Sequence, residues 1–164
     1  MATGDFKKVT GLLKKFRVAM FTTIGEKGEL CSRPMALQNR DFDGTLWFFT
    51  SDRSGKINSL KKDQHVNLAL MSDEDQEYLS ISGHAQLVKD RAKMEELYSP
   101  FVKTWFPKGL EDPEIALLKV EVDSVEYWDS PSATLVQIYG LAKAVLTGQR
   151  PHPGDHGKVD LHRH

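Results

Sequence analysis

The chain has 164 residues, 40% of them apolar, which fits one globular domain around a single core. Its 22 Lys and Arg against 23 Asp and Glu leave no overall basic charge of the kind that marks a general nucleic-acid binder. The one cysteine, Cys31, excludes an internal disulfide and a multi-cysteine zinc site, and points to a reducing, cytoplasmic setting.

The first residues contain no long apolar run, so they read as neither a signal peptide nor a membrane span. Over residues 5–16, Phe6, Val9, Leu13 and Phe16 recur at helical spacing, with Lys7, Lys8, Lys14 and Lys15 elsewhere. Such a stripe suits a helix packed on a sheet; a basic amphipathic helix lying on a membrane is the alternative. The pattern then switches to a period of two. Residues 17–24 read as a strand, Gly25 to Gly28 as a turn, and residues 30–38 as a second strand carrying Arg33. Asp41-Phe42-Asp43-Gly44 reads as the tight turn of a hairpin leading into a third strand, 44–51, because Asp-Gly tolerates the positive φ such a turn needs. A helix follows over 54–62.

Further strands are expected over 65–72, 78–88, and 115–122 running on to Trp128, with a helix over 90–98 that opens at an Asp cap and stops before Pro100. Residues 101–113 read as a loop with two large aromatics, Trp105 and Phe106, which either cover a core edge or wall a planar ligand. A last helix is expected over 132–148, with Gly148 at its C-terminal cap. Short strands joined mostly by turns indicate a mainly β fold, an antiparallel sheet closed into a small barrel with flanking helices. Residues 1–148 form the single domain, and 149–164 a polar tail holding four of the six histidines. A tail without carboxylate or cysteine partners reads as a solvated terminus rather than a metal site.

Arg33, Thr50, Ser54, Gly55 and Lys56 combine a guanidinium, an ammonium, hydroxyls and a helix N-terminus, the groups that hold a phosphate. As isolated residues, Arg33 and Lys56 also read as solvated surface charge. Trp47 and Phe49 lie two apart on a strand and share a face, so both fit a core. Cys31 reads as a packed thiol and His84 as a structural mid-strand histidine. No nucleophile or acid–base triad stands out.

Arg33-Pro34-Met35-Ala36-Leu37-Gln38, Trp47-Phe48-Phe49-Thr50-Ser51, Ser54-Gly55-Lys56-Ile57 and Val66-Asn67-Leu68-Ala69-Leu70, in that order, resemble the FMN-binding split barrels related to pyridoxamine 5'-phosphate oxidase. Residues 105–113 and the ending Tyr127-Trp128-Asp129-Ser130-Pro131 narrow the resemblance to the general stress protein 26 branch. It covers roughly residues 5–148. It implies a six-stranded split barrel forming a homodimer, with FMN in each of two clefts at the interface. It also implies that Arg33 and Lys56, helped by Thr50, Ser54 and Gly55, hold the FMN phosphate. The backbone of Arg33, Pro34, Met35 and Ala36 would follow the isoalloxazine edge, with Phe49 near the cofactor. Tyr78 stands where the oxidases carry a flavin-contacting glutamine, and Trp105, Phe106 and Trp128 are the aromatics expected to wall the cleft from the second subunit. Because Tyr78 replaces that glutamine and no basic segment follows Trp128, pyridoxamine phosphate oxidation itself is not expected. The implied functions are an FMN-dependent oxidoreductase exchanging electrons between a reduced nicotinamide and a small acceptor, or a non-catalytic flavin-sequestering or flavin-sensing stress protein. Heme or deazaflavin on the same barrel, and a barrel with no cofactor, are further variants. No metal, nucleic-acid or membrane partner is expected.

Overall fold

The computed structural model describes residues 3–38, 41–129 and 154–161, together with positions 145 and 148. Helix α1 (Thr3–Leu13) precedes strands β1 (Val18–Ile24), β2 (Leu30–Ala36) and β3 (Thr45–Ser51). Helix α2 (Gly55–Lys62), β4 (His65–Ser72), β5 (Glu77–Val88) and α3 (Arg91–Leu97) follow. Two 3-10 turns, Pro100–Thr104 and Gly109–Glu111, lead to β6 (Ile115–Asp129), and β7 (Asp155–Asp160) comes last. The helix expected over 132–148 falls almost wholly outside the described residues.

All described strand pairs are antiparallel, in the order β2-β1-β4-β5-β6-β3, with β7 added beside β6. The fold is thus the expected mainly β, antiparallel split-barrel type, with a seventh strand beyond the six of the barrel path. The expected hairpin between β2 and β3 does not form. Gly44 does take the positive φ foreseen for it, 103°, but its turn separates the strands: β2 pairs only with β1, and β3 only with β6. They stand at the two ends of the strand order and meet where Gln38 N–H donates to the Trp47 carbonyl at 3.2 Å. That meeting curls the sheet into a barrel.

The core lies inside this curl. Ala19 and Phe21 of β1, Leu46 and Phe48 of β3, Leu68 of β4, Ile81 of β5 and Leu118 and Val120 of β6 are buried there. Helix α1 covers one end with Val9, Leu12 and Leu13, while Phe6 and Phe16 pack from its flanks. Its apolar stripe therefore faces the core; among the described residues no helix is long and apolar enough to cross a membrane. A second, smaller cluster forms on the outer face of β3, where Trp47 and Phe49 pack with Met94, Val102, Ile115, Leu117 and Phe106. Arg91 ties α3 to the second 3-10 turn through the Leu110 carbonyl and Glu111, both at 2.7 Å.

The tail differs from the solvated terminus expected of it. Asp155–Asp160 pair with Ser124–Asp129 of β6, and Val159 is buried in the main core with Leu161 packed against it. A 15-residue strand such as β6 outruns its pairing with β3, which stops at Glu121. Its exposed edge is an unpaired hydrogen-bonding ladder that another strand can complete, and β7 completes it.

Candidate functional site

The inner faces of β1 and β3 look at each other across the barrel. Phe21 and Phe48 meet there edge to face, centroids 5.3 Å apart. Strand alternation makes the next inward residue on each strand a threonine, Thr23 and Thr50, both buried. Above each threonine sits a cation. Arg33 donates through Nη1 to Thr23 Oγ1 at 2.7 Å. Lys56 donates through Nζ to Thr50 Oγ1 at 3.0 Å and to Ser54 Oγ at 2.7 Å. The core thus changes from aromatic to hydroxyl at this mouth of the barrel, and two positive groups close it.

Their electrostatics show that they are neighbours. Burial, and then the charge of Arg33, lower the Lys56 pKa below the ordinary lysine value. Neither cation has a carboxylate partner within ion-pair distance among the described residues. Arg53, three residues before Lys56, behaves differently: it pairs with Glu114 at 3.2 Å. Two close cations without counter-charge, one of them half-buried, are costly unless an anion joins them.

Helix α2 starts beside Lys56. Ser54 is its N-cap residue, yet its hydroxyl makes no capping bond and instead accepts from Lys56. Gly55 is exposed, with open space where a Cβ would project, so the amides of the first turn are approachable. Backbone donors, a helix N-terminus, guanidinium and ammonium form a donor set with the chemistry of a phosphate cradle.

The expected residues divide into two groups. Arg33, Thr50, Ser54, Gly55 and Lys56 come together. Met35 follows inward, buried in the main core, while Pro34 and Ala36 alternate onto the outer face of β2. Phe49 abuts Thr50 in the chain, but its side chain points to the opposite face of β3, into the cluster with Trp47; only its backbone borders the cations. Tyr78 and Trp128 are register partners on the outer face, close to the C-terminal end of β6, whereas Thr50 pairs with Ala116 near its start. Trp128 stacks on His156 of β7, centroids 5.1 Å apart. Trp105, following the first 3-10 turn, is 71% exposed. These three aromatics do not join the cation site within one chain. Thr23, which holds Arg33, is not among the expected residues, although its alternation with the inward Ala19 and Phe21 puts it on their face.

Residues 4–152 match the family model described as pyridoxamine 5'-phosphate oxidase like. This chain belongs to that family. Protein bli-3 of Neurospora crassa is 32% identical over 143 residues, which cover 81% of this chain and 68% of that protein. Among solved structures, the general stress FMN/FAD binding protein of Xanthomonas citri is 33% identical, with a TM-score of 0.70 over 81% of this chain and 94% of its own. A protein of Jannaschia sp. CCS1 described as a general stress protein 26 is 25% identical, with a TM-score of 0.79 over 97% of this chain and 100% of its own. Both of these solved structures are thus described as general stress proteins, the second of them as a general stress protein 26.

Proposed function

We propose that this chain binds FMN by its phosphate at the Arg33–Lys56 site and serves as a flavin-dependent oxidoreductase for a small substrate. The observation that carries this reading is the pair of neighbouring cations, without carboxylate partners, over a floor of buried threonine hydroxyls. Arg33 and Lys56 would grip the phosphate, with Ser54 and the first amides of α2 supplying further donors. The backbone from Arg33 to Ala36 leads away from the phosphate along the edge of β2, the path a flavin ring system would follow. Bound flavin supplies the electron-transfer chemistry, so the chain needs only to bind, orient and shield it.

The outer face gives a reason for the split among the expected residues. Val18, Met20, Leu30 and Met71 are 52%, 43%, 74% and 68% exposed, with Pro34 opposite Met20 and Tyr78 between Met71 and Trp128. An apolar sheet face of this kind favours a second copy of the chain. In such a homodimer Tyr78 and Trp128 would approach the cofactor held by the partner rather than their own.

Comparing FMN with riboflavin tests the site directly. If the phosphate grip carries affinity, the purified protein binds FMN far more tightly than riboflavin, read by quenching of flavin fluorescence. Equal affinities would overturn the assignment. Anaerobic stopped-flow mixing with NADH or NADPH then tests the activity: rapid bleaching of bound FMN supports an oxidoreductase, and no bleaching at saturating donor rejects nicotinamide as its reductant.

A further inference from the structure

Away from the barrel mouth, β4 and β5 carry a pair of histidines that the flavin site does not use. His65 and His84 are register partners on adjacent antiparallel strands, and their rings stand 4.4 Å apart between centroids, with planes at 51°. His65 is mostly exposed and His84 one-third exposed. Each ring is anchored through its Nδ1. His65 Nδ1 lies 2.7 Å from Asp63 Oδ1, and His84 Nδ1 lies 2.8 Å from Asp123 Oδ2. A carboxylate can only accept, so each Nδ1 carries the proton, and in the neutral ring each Nε2 keeps its lone pair.

Asp63 is a firm anchor. It also accepts the backbone N–H of His65 at 2.9 Å, so two bonds to one residue fix its position. Asp123 reaches His84 from β6, so the two rings are oriented from different elements. Glu121, the β6 register partner of His84, is engaged by Lys119 at 2.6 Å. Imidazoles fixed at Nδ1 by carboxylates, with both Nε2 atoms left as ligands, are the usual preparation for a transition metal.

We infer that His65 and His84 form a two-histidine site for a divalent transition cation of the zinc, nickel or copper class. Metal–nitrogen bonds of about 2.0–2.1 Å would place two ring centres on one ion roughly 4.5 to 5 Å apart, close to the 4.4 Å observed. Among the described residues no group of three or more His, Cys, Asp or Glu is placed to hold a metal ion, so the inference is confined to two protein ligands. With two protein ligands, water would fill the remaining positions and the bound ion would be exchangeable. Imidazole selects for this cation class over magnesium or calcium.

The test is a zinc titration of the full chain, labelled with nitrogen-15 and followed through its histidine ring resonances at neutral pH, with and without FMN. The first equivalent of zinc is expected to move the Nε2 signals of His65 and His84 together, leaving both Nδ1 signals protonated. His65→Gln and His84→Gln should each weaken that first binding step at least tenfold by calorimetry. A chain with His152, His156, His162 and His164 all replaced by Gln should keep it. The proposal is overturned if the tail variant loses the first equivalent, if the two rings respond at different zinc levels, or if His65→Gln, a change at an exposed side chain, binds zinc as before. Because zinc binding is read without flavin, failure of the FMN assignment leaves this result unaffected, and the reverse holds equally.

Discussion

Phe21 of β1 and Phe48 of β3 meet edge to face across the barrel, planes at 88°, and on both strands the next inward residue is a buried threonine. This pair forms the floor beneath the cation site. Replacing Phe48 with Ala should cost about 3–5 kcal/mol of stability, through lost burial and the cavity left behind. Urea denaturation measures this, and a loss below about 1 kcal/mol would show that the two strands do not share one packed layer.

Arg33 and Lys56 should account for most of the preference for a phosphorylated flavin. Removing both by Arg33→Ala and Lys56→Ala deletes two charge-assisted contacts, for an expected loss of roughly 3 to 6 kcal/mol in FMN affinity. Riboflavin affinity should barely change, which separates a lost phosphate grip from a damaged fold. Arg53→Ala is the control: its guanidinium belongs to Glu114, and FMN binding should survive its removal.

The depressed Lys56 pKa gives the site a pH signature. Burial and the Arg33 charge favour the neutral amine, so between the folded pKa and the unfolded one the folded chain holds fewer protons. Stability gained from this group therefore rises with pH through that window. A bound phosphate acts in the opposite sense, since it favours the ammonium. FMN affinity should thus fall as pH climbs through the depressed Lys56 value, at lower pH than an unperturbed lysine would allow. Lys56→Arg, whose guanidinium stays charged, should remove this fall when dissociation constants are compared from neutral pH to about 10.

Much of this architecture was legible in local pattern. Alternation located all six strands of the barrel path to within a few residues, and Asp90 caps α3 as its position suggested, accepting from Lys93 N–H at 3.0 Å. Pairing was less legible, because a turn signal such as Asp43-Gly44 reports a local backbone conformation and not which strands meet. The gathering of Thr50, Ser54, Gly55 and Lys56 could be read because all four lie between positions 50 and 56. The contact between Thr23 and Arg33 could not be, although alternation turns Thr23 inward, since it arises only through the β1–β2 register. Strand β7 was hidden for another reason: in Asp155-His156-Gly157-Lys158-Val159-Asp160 one buried apolar residue, Val159, gives no alternation to detect. What recruits it is the open edge of β6.

Docking of β7 should be measurable. Besides Val159, it is held by Lys8, which reaches Asp155 at 2.6 Å and Asp129 at 2.8 Å, and by His156, which bonds Glu126 at 2.9 Å while stacking on Trp128. The ion pairs are partly exposed and contribute little; the buried valine and the backbone ladder carry the contact. Val159→Ala should therefore destabilise the chain by about 1–3 kcal/mol, whereas Lys8→Ala should stay within about 0.5–1 kcal/mol. Hydrogen exchange would show loss of protection at β7 amides in the first variant and little change in the second.

Gly83 decides how β5 turns across β6. The register between these strands slips between Ser82 and Gly83, and at that bulge a Cβ on Gly83 would press into the backbone carbonyl of Glu121. A carbonyl in a paired strand has little freedom to retreat, so Gly83→Ala must either spread the strands or shift the register, costing on the order of 2–4 kcal/mol. Gly55→Ala makes an informative contrast, because a Cβ there meets nothing, and it should be neutral or stabilise by up to about 1 kcal/mol. Thermal melting of the two variants checks the difference. A neutral Gly83→Ala would mean that the bend in β5 and β6, which carries His84 to one side of it and Tyr78 to the other, does not depend on this close approach.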